Sequence, residues 1–214
     1  MLDILGKLFG SVAQVKLMRL FLLNQSTGFD TSMLKERTGI VGKTIGDEMR
    51  RLVAIGFVQK KVIKKEVLKR GAKKPILKRV DGYVFNQNFR YKDALANLII
   101  DTEFIDLKEI TERFKKAGKV KLLLLSGVFT KNEESRVDVL VVGDHLNPTV
   151  LERTLRLLES EIGKELTYAH FETQEFVYRA SMYDKLIREV VDTDHIEVID
   201  QNILSTVPKI AKKA

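Results

Sequence analysis

One order of sequence patterns constrains the fold of this chain most. It consists of a short helical pattern, a turn that contains glycine and a second helical pattern, and a strand-turn-strand pattern follows directly. The first helical pattern covers residues 31–37, and we expect Asp30 or Thr31 to cap its start. Gly39 follows at the position where helix ends often adopt a left-handed conformation. The second pattern covers residues 43–55. This order predicts two short helices that meet at a tight turn.

The second of these helices is predicted to have one apolar and one polar face. Its apolar stripe recurs at helical spacing and consists of Ile45, Met49, Leu52 and Val53. In a helix-turn-helix, the start of the second helix enters the major groove of DNA. We therefore expect the residues off the stripe to contact DNA, namely Lys43, Thr44, Asp47, Arg50 and Arg51. Asp47 has a second interpretation, in which it orients an arginine, because phosphate repels a carboxylate.

A basic hairpin is predicted directly after this helix. Between Lys60 and Arg79 the chain has ten Lys or Arg residues and a single acid, Glu66. Gly71 permits the turn at the tip, and Pro75 ends strand pairing there. Such a hairpin would contact phosphates or the minor groove, through Lys69, Arg70, Lys73, Lys74 and Lys78. Lysines also protect exposed strand edges from aggregation, but that role does not explain so basic a tip beside this helix.

The positive charge of the chain is concentrated in its first half. Residues 1–95 contain 20 Lys or Arg and 8 Asp or Glu, whereas the remaining residues contain 17 and 21. A basic front half and a mildly acidic back half indicate a polyanion-binding module attached to something else. The alternative, a solvated basic face without a partner, does not explain why the charges cluster where a DNA-binding fold needs them.

A further helix is predicted before these elements, with Ser11 as its N-cap and an end near Asn24. The order of helices and basic hairpin over about residues 7–88 resembles the winged helix-turn-helix transcriptional regulators of bacteria and archaea. Small regulators of this family begin with the pattern LFGS-A-VKLLRLFL, which residues 8–11 and 15–22 match. The resemblance implies that residues 1–88 form a DNA-binding domain, that double-stranded DNA is its partner, and that the protein regulates transcription.

The second half of the chain alternates between helical and strand patterns. Residues 89–105 are predicted to form a linker helix that also contributes to an interface, and residues 201–214 a mobile basic tail. Between them, residues 106–200 show the alternation that is typical of a sheet covered by helices. The predicted fold class is therefore α+β, with an N-terminal winged helix-turn-helix followed by a smaller α/β domain.

Part of this second half, about residues 107–172, resembles the core of nucleotidyltransferases. Those enzymes carry a Gly-Ser turn and then an Asp-x-Asp on the next strand, which holds two divalent metals together with a third carboxylate. Here the turn is reversed, as Ser126-Gly127, while Arg136 occupies the first Asp position and Asp138 the second. The third strand, residues 166–171, has no carboxylate in its interior. Because positions i and i+2 share one face of a strand, Arg136 would repel a metal.

These departures predict a nucleotidyltransferase-like domain with no catalytic residues, no metal and no cofactor, which serves dimerisation, ligand sensing or partner binding. We expect a homodimer, and a protein partner or a nucleotide is the candidate ligand of the C-terminal domain. Two alternatives stay open: an active metal-dependent nucleotidyltransferase, and an antitoxin-like DNA-binding protein. The chain has no cysteine, and its start lacks the unbroken apolar core of a signal peptide. We therefore expect a cytoplasmic protein that does not bind a membrane.

Overall fold

The computed structural model describes residues 2–67, 74–100, 106–132 and 135–208. The described residues form a mixture of helices and small sheets, which confirms the predicted α+β class. The chain divides into two compact units, Met1–Asp101 with Leu157–Lys164 and Thr102–Arg156 with Glu165–Ala214. The first unit thus includes most of the segment predicted as a linker, and a short segment from much later in the chain.

Helices open the first unit. They are α1 (Leu2–Phe9), α2 (Val12–Leu23), α3 (Thr31–Thr38) and α4 (Gly42–Ala54). The sequence pattern predicts the first helix only after Ser11, so α1 is an addition to the prediction. The bounds of α3 and α4 agree with the predicted helices to within a residue at each end.

Side-chain caps fix the starts of α2 and α3 where the sequence predicts them. The Ser11 hydroxyl accepts a hydrogen bond from the Gln14 amide at 3.1 Å, and the Asp30 carboxylate accepts one from the Met33 amide at 2.7 Å. Gly39 closes α3 with a φ of 67°, in the left-handed region that favours glycine. These three predictions are confirmed, and Gly39 lies at the turn between α3 and α4.

The predicted hairpin consists of β1 (Val58–Val67) and β2 (Ile76–Phe85), which pair antiparallel over their whole lengths. A third segment extends this sheet, because Phe29 pairs with Tyr83 on the other edge of β2. The Phe29 amide donates to the Tyr83 carbonyl oxygen at 2.9 Å, and the Tyr83 amide donates to the Phe29 carbonyl oxygen at 2.8 Å. The hairpin is thereby joined to the residue that precedes the N-cap of α3.

Helix α5 (Lys92–Ile100), which lies in the segment predicted as a linker helix, packs into the core of the first unit. Ile99 is fully buried, and Arg19 of α2 is only 3% exposed. The Arg19 Nε donates to the Ile99 carbonyl oxygen at 2.8 Å, and its Nη1 donates to the Glu161 carbonyl oxygen at 2.8 Å. Residues 157–164 therefore belong with the first unit through direct contacts to α2.

The second unit contains a four-stranded sheet. In chain order its elements are α6 (Leu107–Lys115), β3 (Lys119–Leu125), β4 (Val139–Asp144), α7 (Pro148–Ile162), β5 (Tyr168–Glu172), α8 (Thr173–Ser181), α9 (Lys185–Asp192) and β6 (Ile196–Asp200). The end of α7, from residue 157 onward, belongs to the first unit. The strand order is β5-β4-β3-β6, with β4 parallel to β5 and the other neighbours antiparallel. The two central strands, β3 and β4, are almost completely buried, as their apolar runs predict.

The helices α8 and α9 are separated before Asp184, which forms an ion pair with Arg179 at 2.8 Å and caps α9. One predicted boundary in the second unit differs from the structure. In the predicted tail, Ile203 and Val207 are buried, so packed structure continues to residue 208, and residues 209–214 lie outside the described residues. Among the described helices, none combines the length and apolar composition that crossing a membrane requires.

We predict that Gly82→Ala destabilises the first unit by roughly 1–3 kcal/mol. A Cβ at this position would lie 2.9 Å from the Phe29 carbonyl oxygen and 2.8 Å from Ile63 Cδ1. The carbonyl oxygen belongs to the Phe29–Tyr83 pairing and cannot move away without breaking it. Urea unfolding followed by circular dichroism measures the change in the free energy of unfolding.

Gly46→Ala is the matched control for this prediction. A Cβ at position 46 meets no neighbouring atom within 4 Å in the described structure, and the residue is exposed on α4. Alanine is favoured over glycine inside a helix by about 1 kcal/mol, so this variant should be more stable than the wild type. Equal stability of the two variants would contradict the predicted clash.

Candidate nucleic-acid interface

Helix α4 presents its predicted polar residues on one solvent-facing side. Ile45, Met49 and Leu52 of the predicted stripe are buried and Val53 is half-buried. The residues off the stripe are exposed or, for Asp47, half-exposed: Lys43, Thr44, Asp47, Arg50 and Arg51. Val41, at the N-cap, provides no side-chain acceptor for the first-turn amides. The start of α4 therefore offers backbone donors, a hydroxyl and a lysine to an anion.

The two arginines of α4 each pair with an acid three residues earlier. Arg50 forms an ion pair with Asp47, and the two side chains are 78% and 45% exposed. Arg51 lies 3.5 Å from the Glu48 carboxylate, and here the arginine is 67% exposed but the acid only 7%. Asp47 thus contacts an arginine, as its second interpretation requires. Both arginines remain accessible from solvent.

Glu48 is the residue of this helix that the sequence analysis missed. It lies three residues after Ile45 and four before Leu52, so it falls on the apolar stripe. Its Oε1 accepts a hydrogen bond from the Ser11 hydroxyl at 2.6 Å. The sequence did contain a signal for Glu48, because an acid at a position of the apolar stripe is expected to be buried. A buried carboxylate needs a partner to stay charged.

The hairpin carries exposed cations on both strands. Lys74 and Lys78 of the predicted set are exposed, whereas Lys69, Arg70 and Lys73 lie outside the described residues. Four more cations of the same basic run are exposed and were not in the predicted set: Lys60, Lys61, Lys64 and Arg79. Together with Lys43, these six residues form no ion pair within the described part of the chain.

The strand register brings like charges directly opposite each other. Lys64 faces Arg79, and Lys65 faces Lys78. Like charges at directly opposite positions of an antiparallel pair destabilise it. For Lys65 the repulsion from Lys78 is relieved by an acid of the same unit, because its Nζ lies 2.8 Å from Asp30 Oδ2. For Lys64 and Arg79 the described residues supply no such acid.

Asp30 fixes the position of the hairpin relative to α3. It caps α3 and receives the Lys65 ammonium, which also donates to the Ser32 hydroxyl. Burial raises the pKa of Asp30, but hydrogen bonds from Lys65, Ser32 and the Met33 amide outweigh it and lower that pKa to about 2. Lys65 is therefore a structural residue, and the other hairpin cations are the ones available to a ligand.

In the second unit, Asp138 is engaged by the backbone. Its Oδ1 accepts a hydrogen bond from the Val128 amide and its Oδ2 one from the Thr167 amide, both at 2.8 Å. A Cβ on Gly127, which has a φ of 57°, would lie 2.2 Å from Oδ1, so glycine is required there. The carboxylate that the resemblance places at a metal position therefore holds the turn after β3 and the start of β5.

The neighbouring charged residues of that region are also paired. The Arg136 Nε lies 3.3 Å from Glu189 Oε2, and Lys121 Nζ lies 2.7 Å from Asp144 Oδ2. The hydrogen bond from Lys121 lowers the pKa of Asp144 to about 2. Within the described residues, no group of three or more His, Asp or Glu side chains is arranged to hold a metal ion.

No family model, curated protein or solved structure matches this chain. Its function has to be inferred from its own side chains. Two features distinguish the described part of the molecule: exposed cations that form no ion pair there, at the start of α4 and on the hairpin, and a second unit in which Asp138, Asp144 and Glu189 are engaged by backbone amides or cations.

We predict that Asp30→Asn lowers the free energy of unfolding by about 1–2 kcal/mol near neutral pH. Asparagine still caps a helix, so the loss reports mainly on the pairing with Lys65. Because the pKa of Asp30 is lowered to about 2 in the folded state against about 3.9 when unfolded, this stability is present above pH 4. It is lost as the pH falls from about 4 to about 2.

Urea unfolding of both proteins at several pH values tests this. The difference between wild type and variant should shrink steadily below pH 4. A difference that stays constant down to pH 2 would show that the ion pair contributes nothing.

We predict that Asp138→Asn destabilises the second unit by about 1–3 kcal/mol, because asparagine has one acceptor oxygen for two backbone amides. Asp194→Asn is the matched control, since Asp194 is exposed and forms no hydrogen bond in the described structure. Thermal unfolding of both variants measures the effect. If the two variants melted together, Asp138 would be free for another role, and metal binding would have to be tested.

Proposed function

We propose that residues 1–88 form a winged helix-turn-helix that binds double-stranded DNA, and that the protein acts as a transcriptional regulator. In this proposal α4 is the recognition helix in the major groove, and the hairpin of β1 and β2 is the wing. The order of α2, α3 and α4, with the three-stranded pairing through Phe29, is compatible with such a domain. Lys43, Thr44, Asp47, Arg50 and Arg51 would line the helix surface that faces DNA.

The observation that carries this proposal is the group of exposed cations at the start of α4 and on the hairpin for which the described residues provide no acidic partner. We call it the basic surface; it consists of Lys43, Lys60, Lys61, Lys64, Lys74, Lys78 and Arg79. Its hairpin members lie on both faces of the hairpin, because side chains alternate along each strand. A folded chain gains nothing from holding so many cations together, because their mutual repulsion opposes folding. A polyanion removes that repulsion and releases its own condensed counterions on binding.

Within the basic surface, the register of the hairpin provides a pair of cations that suits a phosphate group. Lys64 and Arg79 face each other across the two strands, so one phosphate group can contact both. An arginine donates two parallel hydrogen bonds to phosphate oxygens, and a lysine adds a point charge. Phosphate contacts of this kind position a protein on a duplex without reading its sequence.

The second unit differs in how its cations are used. Many of its arginines and lysines form ion pairs with its own acids, as in the pairs Arg113–Glu109, Lys115–Glu112 and Arg188–Asp192. We propose that this unit has no catalytic activity and supports dimerisation or binds a protein or nucleotide partner. The engagement of both Asp138 oxygens by backbone amides supports a non-catalytic role. A homodimer would place two recognition helices on half-sites about 34 Å apart.

We predict that the double variant Lys64→Gln/Arg79→Gln binds duplex DNA about tenfold or more weakly than the wild type at low salt. Its dependence of log affinity on log salt concentration should be shallower by about 2, one unit for each lost phosphate contact. Fluorescence anisotropy with a labelled duplex, measured from about 50 to 200 mM salt, gives both quantities. The loss should be the same for unrelated sequences.

The control is Lys108→Gln/Lys116→Gln, which removes the same charge from exposed positions of the second unit. It should bind DNA like the wild type. Equal losses in the two double variants would mean that net charge, and not the basic surface, controls binding. If the wild type retards no duplex even at low salt, the proposed function is wrong.

A further inference from the structure

The buried carboxylate of Glu48 lies directly beneath the polar face of α4. The residue is 5% exposed, and its Oε2 has no hydrogen-bond partner among the described residues. Leaving a carboxylate oxygen buried and unpartnered costs free energy. An apolar residue at this stripe position would avoid that cost, so the acid needs an explanation in terms of its neighbours.

The hydrogen bond from Ser11 fixes one oxygen of this carboxylate. The Ser11 hydroxyl already accepts a hydrogen bond from the Gln14 amide at 3.1 Å as the cap of α2. Its own hydrogen is therefore free to be donated, and it goes to Glu48 Oε1 at 2.6 Å. The carboxylate is thus tied to the rigid start of α2 and does not follow the motions of an exposed side chain.

Arg51 is the only described cation within 4 Å of this fixed carboxylate, with Nη1 3.5 Å from Oε1. Its guanidinium is otherwise exposed and has further N–H donors directed to solvent. Arg50 differs, because its acidic partner Asp47 is itself 45% exposed and can move with it. Of the two arginines on α4, only Arg51 is held by a buried acid.

We infer that Glu48 is a positioning residue that holds the Arg51 guanidinium ready for a phosphate or a base edge of bound DNA. This inference rests on the proposed function. An arginine that is already ordered loses less side-chain entropy when it binds. Arg51 held in this way should therefore bind DNA more tightly than an arginine that moves freely.

The direction in which one substitution changes the affinity for DNA distinguishes this positioning role from a simple effect of charge. Glu48→Gln removes a negative charge near the DNA, which by charge alone would tighten binding. Positioning predicts the opposite, a loss of about three- to tenfold, because the neutral amide no longer holds the guanidinium. Asp47→Asn is the matched control: it removes the same charge from the exposed face and should tighten binding. Affinities are measured by anisotropy with one labelled duplex at fixed salt.

Two further variants show whether the effect passes through Arg51. In an Arg51→Gln background, Glu48→Gln should cause no additional loss of affinity. Glu48→Asp keeps the charge but withdraws it by one methylene, so it should also weaken binding. Melting temperatures establish that each variant is folded. NMR relaxation of the Arg51 Nε–Hε group, without DNA, should show greater side-chain motion in Glu48→Gln than in the wild type.

Each outcome decides between the alternatives. Tighter binding by Glu48→Gln, or an equal loss in the Arg51→Gln background, would overturn the positioning role while leaving DNA binding intact. Unchanged Arg51 motion in Glu48→Gln would overturn it without reference to any ligand. A wild type that binds no duplex would instead contradict the proposed function, and the relaxation measurement would still test the contact between Glu48 and Arg51.

Discussion

The backbone pairing of Phe29 with Tyr83 is the contact on which the arrangement of the first unit depends. It adds the segment before α3 to the sheet of the hairpin, so that one short stretch of chain fixes both elements. Asp30, the next residue, caps α3 and binds Lys65 of β1. Two hydrogen bonds and one ion pair thus set the distance between the helices and the basic strands, and any ligand that contacts both must match that distance.

The two units balance their charges in different ways. In the second unit, ion pairs such as Arg136–Glu189 and Lys121–Asp144 lie within the fold, and the backbone engages Asp138. In the first unit, acids partner the cations that have structural roles, as Asp30 partners Lys65, and the remaining cations of the basic surface face solvent unbalanced. Unbalanced charge that is confined to one part of the chain is more informative about a ligand than the net charge of the whole chain.

Much of the first unit could be predicted from sequence because its signals are local. The caps Ser11 and Asp30 and the end of α3 at Gly39 depend on residues within a few positions along the chain, and each is confirmed. Glu48 and Arg19 could not be placed in this way. Their hydrogen-bond partners lie 37 and 80 residues away along the chain. The spacing of residue types within one sequence does not show which residues that far apart will meet. The same limit applies to the site: spacing gives the polar face of α4, but only the strand register shows which cations oppose each other.

The contacts of Arg19 have a consequence for how this protein is made. Its guanidinium is buried and needs the carbonyl oxygens of both Ile99 and Glu161, and residues 157–164 belong to the same unit as α2. Domains usually fold one after another as the chain leaves the ribosome. Here the N-terminal unit cannot complete its core until residue 164 has been synthesised, by which time residues 102–156, about half of the second unit, have also been translated. The core of the first unit therefore stays incomplete while the first two strands of the second unit's sheet, β3 and β4, are translated.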